Sequence, residues 1–416
     1  MIIGFVGLSH LGLVSLCAAA NKGCKIIGYD LNIDSKLINE NKVVINEPGL
    51  NSIFKKNRKR IKITKNIKDL NKCDLIYLSK DVPTDYKGKS DLKPINKIIR
   101  NLNFLKNKSR LIILSQVKPG FTRKIKWNKK RLFYQVETLV FGNALKRALN
   151  PERIIIGSNN INEKLDYKLK FFLKKFKCPI LNMNYESAEL TKISINMFLV
   201  SSVTTTNLLS ELAKKIGANW VDISKALRLD KRIGKHAYLS PGLGISGGNL
   251  ERDINSIIKM NEKKSLDNKM FHYWKKKSKY FKNWPIRKFF EIRKKLKVKN
   301  ISILGLTYKP ETDSLKNSPS LKLINKLKKE YSLKLYDPVI KNIGSKNYNF
   351  SNSVTDSIKG SELIFLMTPW KHFKILNSKK ITKILSGKII IDPFEIITDK
   401  LLIKNDKRYF SINKRI

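Results

Sequence analysis

"IIGFVGLSHLGLVSLCAAANKGCKIIGYD", residues 2–30, decides the fold. A short apolar run ends at Gly7, a helical stretch follows, and a second apolar run, "KIIGYD" (25–30), closes on an acid. This reads as a strand–helix–strand unit. Its first turn, "GLSHLG" (Gly7–Gly12), occupies the place of G-x-G-x-x-G, directly after a strand and opening a helix. Gly7 permits the tight turn, and Gly12 lets the helix lie close to the sheet. The middle glycine, which would let backbone amides approach a pyrophosphate, is Ser9, whose hydroxyl can still donate to phosphate. Asp30 stands 18 residues beyond Gly12, close to the ~20 expected of an acid that binds ribose hydroxyls. A carboxylate there favours NAD over NADP by repelling a 2′-phosphate. The expected cofactor is therefore NAD, held by Gly7, Ser9, His10, Leu11, Gly12 and Asp30.

Working outward, apolar runs recur at "DLIYLS" (74–79), "RLIILS" (110–115) and "RIIIG" (153–157). Strands alternating with helical stretches predict a parallel sheet with helices on both faces. From about 186 to 232 the pattern changes. "ESAELTKISINMFLVSSVTTTNLLSELAKKIGA" keeps helical periodicity without Pro or interior Gly until Gly217, as a helix running between domains would. A lysine-rich helical stretch (251–298) leads into a second α/β pattern, with strands expected in "NISILGLTYKP" (300–310), "LKLYDP" (333–338), "ELIFLMTP" (362–369) and "KIIIDP" (388–393). The expected α/β architecture is an N-terminal Rossmann dinucleotide-binding domain (1–183), a central helical region (184–285) and a C-terminal Rossmann-like α/β domain (286–416). No repeat periodicity points to a solenoid.

Composition narrows the partners. The chain has 416 residues, 42% hydrophobic, and a formal charge of +52 from 85 Lys and Arg against 33 Asp and Glu. Such an excess attracts anions. It is spread along the whole chain beside abundant Asn and Ile, as an AT-rich coding sequence imposes, and no nucleic-acid module is visible. Nucleic acid is therefore not the expected partner. The four cysteines (Cys17, Cys24, Cys73 and Cys178) lack metal-ligand spacing, so no metal is expected and reduced thiols are. "MIIGFVGLSHLGL" lacks a basic leader and a cleavage site, and no apolar run reaches the ~18 residues of a membrane span. A soluble cytoplasmic protein, away from membrane, is the expectation.

Further segments, in order, resemble the UDP-glucose/GDP-mannose dehydrogenase family. "NEPGL" (46–50) resembles its Y-E-P-G-L, "VPTDYKGKSDL" (82–92) its G-T-P-T-D…G…D-L turn, and "SQVKPGFT" (115–122) its S-T-V-P-P-G-T-T. "VETLVFGNALKRALNPERIIIG" (136–157) runs beside P-E-F-L-R-E-G-x-A-x-x-D-x-x-N-P-x-R-x-V-x-G, and "AELTKISINMFL" (188–199) beside A-E-x-x-K-Y-x-x-N-A-F-L. "LDKRIG" (229–234), "YLSPGLGISGGNLERD" (238–253) and "LGLTYKPETDSLKNSPS" (304–320) resemble D-x-R-I-G, F-L-x-P-G-x-G-[FY]-G-G-S-C-F-P-K-D and G-L-A-F-K-x-x-T-D-D-x-R-x-S. The resemblance covers essentially the whole chain. It implies an NAD-binding domain, a central dimerisation region giving a homodimer, and a C-terminal domain holding the nucleotide of a UDP- or GDP-sugar. Members of the family oxidise C6 of a hexose twice, supplying uronic acids for polysaccharide synthesis.

The resemblance also assigns roles. Lys192 and Asn196, at i and i+4, match the groups that stabilise oxyanions, Asp253 the acid–base group, and Glu137 the glutamate assisting hydrolysis. Arg232 matches an arginine that reaches substrate across the dimer, Lys309 a substrate-binding lysine, and Tyr238, Gly244, Ser246 and Gly247 lie in the substrate loop. Thr84, Ser115 and Lys316 fall in motifs expected to touch the cofactor. The departures concentrate in the chemistry. The position of the cysteine nucleophile is Asn249, and an amide cannot form the thiohemiacetal of the second oxidation. Phe141 replaces a glutamate, Gln116 a threonine, Asp81 and Val82 a glycine and a threonine, and Lys316 an arginine. Two readings follow: a dehydrogenase without the covalent second oxidation, stopping at the aldehyde or reaching the acid through a hydrated aldehyde, or a catalytically impaired or redox-neutral nucleotide-sugar protein, either a sensor or an isomerase.

Overall fold

The computed structural model describes residues 1–33, 37, 43, 45–85, 90–106, 108–293, 298–344, 348–377, 384, 389–398 and 408–412. Part of "VPTDYKGKSDL", part of the stretch 251–298 and Lys388 lie outside the described residues. The chain divides into two compact units, Met1–Ile195 and Asn196–Ile416.

The first unit is built on one eight-stranded sheet. Its strands are β1 (Ile2–Val6), β2 (Lys25–Tyr29), β3 (Ile61–Thr64), β4 (Leu75–Leu78), β5 (Arg110–Ile113), β6 (Leu132–Gln135), β7 (Ile154–Ser158) and β8 (Ile180–Asn184). They lie in the order β3-β2-β1-β4-β5-β6-β7-β8. The first six follow the 3-2-1-4-5-6 order of a dinucleotide-binding sheet, which reverses direction between β1 and β4. Both faces are covered, so side chains alternate between two cores. Ile3, Phe5, Leu75 and Tyr77 pack on one face, and Val6, Ile76 and Leu78 on the other. One expectation needs correction: the sheet is not parallel throughout, because β7 runs antiparallel to β6. The connection between them carries only a six-residue helix, Ala144–Leu149. At 1.5 Å per residue that helix is too short to carry the chain back along a strand, so the chain returns beside β6 instead.

The expected long helix runs from Tyr185 to Lys215, 31 residues, and crosses from the first unit into the second. It stops at Gly217, which adopts φ +75°, while the Ala218 N–H closes the end on Ala213 C=O at 2.8 Å. The lysine-rich stretch forms three helices, Asn249–Glu262, Lys269–Lys282 and Trp284–Ile292.

The second unit holds a six-stranded parallel sheet of β9 (Asn300–Leu304), β10 (Ser332–Tyr336), β11 (Asn349–Phe350), β12 (Leu363–Leu366), β13 (Ile389–Ile391) and β14 (Tyr409–Phe410), ordered β11-β10-β9-β12-β13-β14. Its first turn repeats that of the first unit. Gly7 and Gly305 adopt φ +92° and +91°. Gly7 N–H donates to Tyr29 C=O at 2.9 Å, and Gly305 N–H to Tyr336 C=O at 2.8 Å. The next amide in each case, Leu8 or Leu306, donates to an aspartate closing the second strand, Asp30 at 2.9 Å and Asp337 at 2.8 Å. The two "GL…YD" segments are one structural device used twice.

Candidate active site

The dinucleotide corner lies at the switch in strand order. A Cβ on Gly12 would fall 1.9 Å from Gly7 C=O, and one on Gly7 would fall 2.6 Å from Lys80 Cα. Only glycine fits at either place. The cradle therefore fits a pyrophosphate at the start of the helix His10–Asn21. Ser9 spends its hydroxyl within the protein, donating to Ser79 C=O at 3.4 Å and accepting the Asp81 N–H at 3.2 Å. His10 Nε2 meets Glu47 Oε2 at 2.9 Å, and its ring packs on Phe141 with centroids 4.3 Å apart. Glu47, buried, also accepts the Gly142 and Ala144 N–H groups at 3.0 and 2.7 Å. Thus "NEPGL" and the loop after β6 are fastened to the first turn, with Leu11 buried beneath.

Asp30 is held on both oxygens. Oδ2 accepts the Leu8 N–H at 2.9 Å and the Lys80 ammonium at 3.2 Å, while Oδ1 accepts the Asn32 N–H at 3.0 Å. Burial pushes this carboxyl up, but the two N–H groups and Lys80 outweigh it and hold it below the usual carboxylate range. Ser115 is buried, and its hydroxyl donates to Lys80 C=O at 2.6 Å and Leu78 C=O at 3.2 Å. It fixes the end of β4. Thr84 donates to Val82 C=O at 3.4 Å and pairs with Ser90 in an isolated bridge.

Beyond β6, Glu137 accepts the Leu139 N–H through Oε1 and faces Lys192 Nζ through Oε2 at 3.6 Å. Both side chains are largely enclosed, at 16% and 10% exposure. A lysine held this way is a fixed positive charge, suited to stabilising a developing oxyanion.

One turn along the same helix, in the second unit, Asn196 donates to Asp253 Oδ2 at 2.5 Å. Arg252 donates through Nε to Asp253 Oδ1 at 3.1 Å. All three are buried. Asp253 sits on the helix Asn249–Glu262, whose first residue, Asn249, is exposed. The preceding loop is packed against its own unit. Gly244 (φ +73°) would place a Cβ 2.8 Å from Ser278 C=O, Gly247 (φ +80°) one 2.8 Å from the Tyr308 ring, and Gly248 one 2.7 Å from the Lys316 chain. At each of these glycines protein occupies the space that a side chain would need. Ile245 N–H donates to Ser278 Oγ at 2.9 Å, and Asn317 Nδ2 bridges Gly247 C=O and Glu251 at 2.8 and 2.7 Å. Ser246 is half-buried between these anchors.

Lys309 lies over the Tyr308 ring, 5.8 Å from its centroid. Tyr238 is exposed, and its carbonyl accepts the Thr206 and Ser202 hydroxyls at 2.8 and 3.2 Å. Arg232 is 89% exposed and bidentate on Asp230. Among the described residues no group of three or more His, Cys, Asp or Glu is placed to hold a metal, and no helix is long and apolar enough to cross a membrane.

Three family models match in order. They are the NAD binding domain (1–175), central domain (186–279) and UDP binding domain (302–399) of the UDP-glucose/GDP-mannose dehydrogenase family. A UDP-glucose 6-dehydrogenase of Rickettsia conorii is 31% identical over 441 residues, covering all of both chains. The chain belongs to the UDP-glucose/GDP-mannose dehydrogenase family. A UDP-glucose 6-dehydrogenase of Bacillus subtilis is 25% identical over 94% of this chain and 88% of its own. The fold agrees with a UDP-glucose dehydrogenase from Pyrobaculum islandicum, which superimposes with a TM-score of 0.85 at 22% identity over 100% of this chain and 98% of that one.

Within this family the first unit is the NAD-binding domain, and its glycine cradle and Asp30 suit that cofactor. When bound, NAD supplies the hydride acceptor. Sequence reasoning passed over three residues. Arg252 was hidden in a charged run, Glu47 was legible only as part of "NEPGL", and Lys80 carries no motif signal at all. Cys17 and Cys73 are buried, and burial pushes both thiols up to about 12, Cys73 with help from Asp74 and Asp69. Neither offers a thiolate at neutral pH.

Proposed function

We propose that this chain is an NAD-dependent nucleotide-sugar 6-dehydrogenase, acting on a UDP-hexose or GDP-mannose type substrate for polysaccharide synthesis, and that it releases the aldehyde. The observation that carries this reading is the buried Asn196–Asp253–Arg252 cluster standing intact, with Arg252 and Asp253 three and four residues along the chain from an exposed Asn249. Asp253 takes the proton of the C6 hydroxyl, directly or through one water, as the hydride leaves. Asn196 and Arg252 keep its two oxygens aimed. Lys192, steadied by Glu137, keeps the role of an oxyanion stabiliser in this proposal. Asn249 has no sulfur to add to the aldehyde, so the covalent second oxidation stops.

The substrate-side roles of Arg232, Tyr238, Gly244, Ser246, Gly247 and Lys309, and the cofactor-side role of Lys316, belong to the same proposal. So do the cytoplasmic setting and a homodimer formed over the exposed apolar side chains Phe198, Ile216 and Leu229. The deciding experiment measures NADH formed per nucleotide sugar consumed, with hydroxylamine present to trap aldehyde. A ratio near one with oxime recovered is expected. A ratio of two overturns the half-reaction. No NADH despite sugar-nucleotide binding replaces it with the redox-neutral reading.

A further inference from the structure

The adenosine corner carries a cation beside its acid. Lys80 is the second residue after β4, which lies next to β1 at the switch in strand order, and its backbone stands against Gly7. Its carbonyl is fastened by the Ser115 hydroxyl at 2.6 Å, and its ammonium by Asp30 Oδ2 at 3.2 Å. The residue is therefore held at both ends, yet its side chain keeps 30% of its surface open, against 11% for Asp30.

A carboxylate alone at the end of β2 accepts the ribose 2′-hydroxyl and repels a 2′-phosphate. Here that charge is already matched. Asp30 Oδ2 is shared by Leu8 and Lys80, and Oδ1 is taken by Asn32. An ammonium has three N–H donors, and only one is used on Asp30, leaving others for an incoming anion. With Lys80 in place, the corner presents a balanced ion pair with its cationic partner outermost.

We propose that Lys80 makes this corner accept a 2′-phosphate, so that the chain binds NADP as well as NAD. This rests on the dinucleotide-binding reading of the first unit and concerns only which dinucleotide enters. Lys80 acts as a specificity-determining residue: it cancels the repulsion of Asp30 and donates to the phosphate that NADP carries on the ribose.

Equilibrium binding to the full chain tests this by titration calorimetry with NAD, NADP, 2′,5′-ADP and 3′,5′-ADP. The last two carry equal charge, so they separate recognition at the 2′ position from general attraction to a chain of charge +52. The expected result is an NADP Kd within tenfold of that for NAD, with 2′,5′-ADP bound at least tenfold tighter than 3′,5′-ADP. In Lys80→Met the NADP-to-NAD affinity ratio falls at least tenfold, and Lys80→Arg retains it. The proposal is overturned if NADP binds more than tenfold weaker than NAD, if the two bisphosphates bind alike, or if Lys80→Met leaves the ratio unchanged. Binding of neither dinucleotide would instead sink the reading of the whole unit, an outcome distinct from NAD bound and NADP refused.

Discussion

Asn196 and Asp253, 57 residues apart in the chain, meet in the interior of the second unit, where the Asn196 amide donates to Asp253 Oδ2 at 2.5 Å. Both are buried, and Arg252 takes the other carboxylate oxygen. A buried carboxylate with a donor on each oxygen is aimed as well as satisfied, which suits acid–base work. Asp253→Asn keeps the shape and removes the base, so the rate of NADH formation is expected to fall by about 10²-fold or more while the protein still folds. Asn196→Ala removes one donor from a buried carboxylate and is expected to cost about 1–3 kcal/mol in urea unfolding. An Asp253→Asn protein of undiminished rate would remove Asp253 from the chemistry.

Asn249 is the first residue of its helix and is exposed. A cysteine there would sit where the N–H groups of the first turn favour a thiolate. Asn249→Cys is therefore expected to raise NADH per sugar from about one toward two, and to make the product an acid that hydroxylamine no longer traps. Product analysis by mass spectrometry decides it. Unchanged stoichiometry would mean that another part of the hydrolytic step is also lost.

Gly12 tests the cofactor cradle. A Cβ there would lie 1.9 Å from Gly7 C=O and 2.9 Å from Ser79 Oγ. The first neighbour is backbone and cannot swing aside, so the helix must move off the sheet. Gly12→Ala is expected to weaken NAD binding at least about tenfold and to cost roughly 1–3 kcal/mol of stability. Calorimetric titration with NAD and a thermal melt measure the two effects separately.

Much of this was legible from local pattern. The segment 2–30 showed strand, loop, helix and acid, because each has a short-range signature and all four lie within one unit. The long helix was visible because neither Pro nor Gly interrupts it before Gly217. What escaped depends on partners distant in sequence. The strands "IKIT" (61–64) and "ILNMN" (180–184) lie on the two edges of their sheet and interleave polar residues. The two-residue strands β11 and β14 exist only through their neighbours. The reversal of β7 is a property of pairing, not of composition. The Lys80–Asp30 and Arg252–Asp253 pairs gave no signal, since a lysine or arginine in a chain this basic reads as a solvated charge. The glycines of the loop before Asn249 pointed to close approach, correctly, but sequence could not say that Ser278, Tyr308 and Lys316 do the approaching.

Asp392, following β13, gives the second unit a pH dependence. It accepts the Ile397 and Phe394 N–H groups at 2.9 and 3.3 Å and the Tyr409 hydroxyl at 3.0 Å. Burial nevertheless pushes its carboxyl up to about 7, with Glu395 adding to the effect. In the unfolded chain an aspartate titrates near ~3.9. The folded state therefore holds the proton more tightly. Its stabilising contribution is complete below the unfolded value and is lost as pH rises through about 7. Asn mimics the protonated acid at the same volume, so Asp392→Asn is expected to flatten the dependence. Wild-type stability in urea should decline between about pH 4 and 7, by a few kcal/mol at most, while the variant changes much less. Parallel urea titrations across that range measure the difference, and curves of equal slope would show that Asp392 is ionised in the fold throughout.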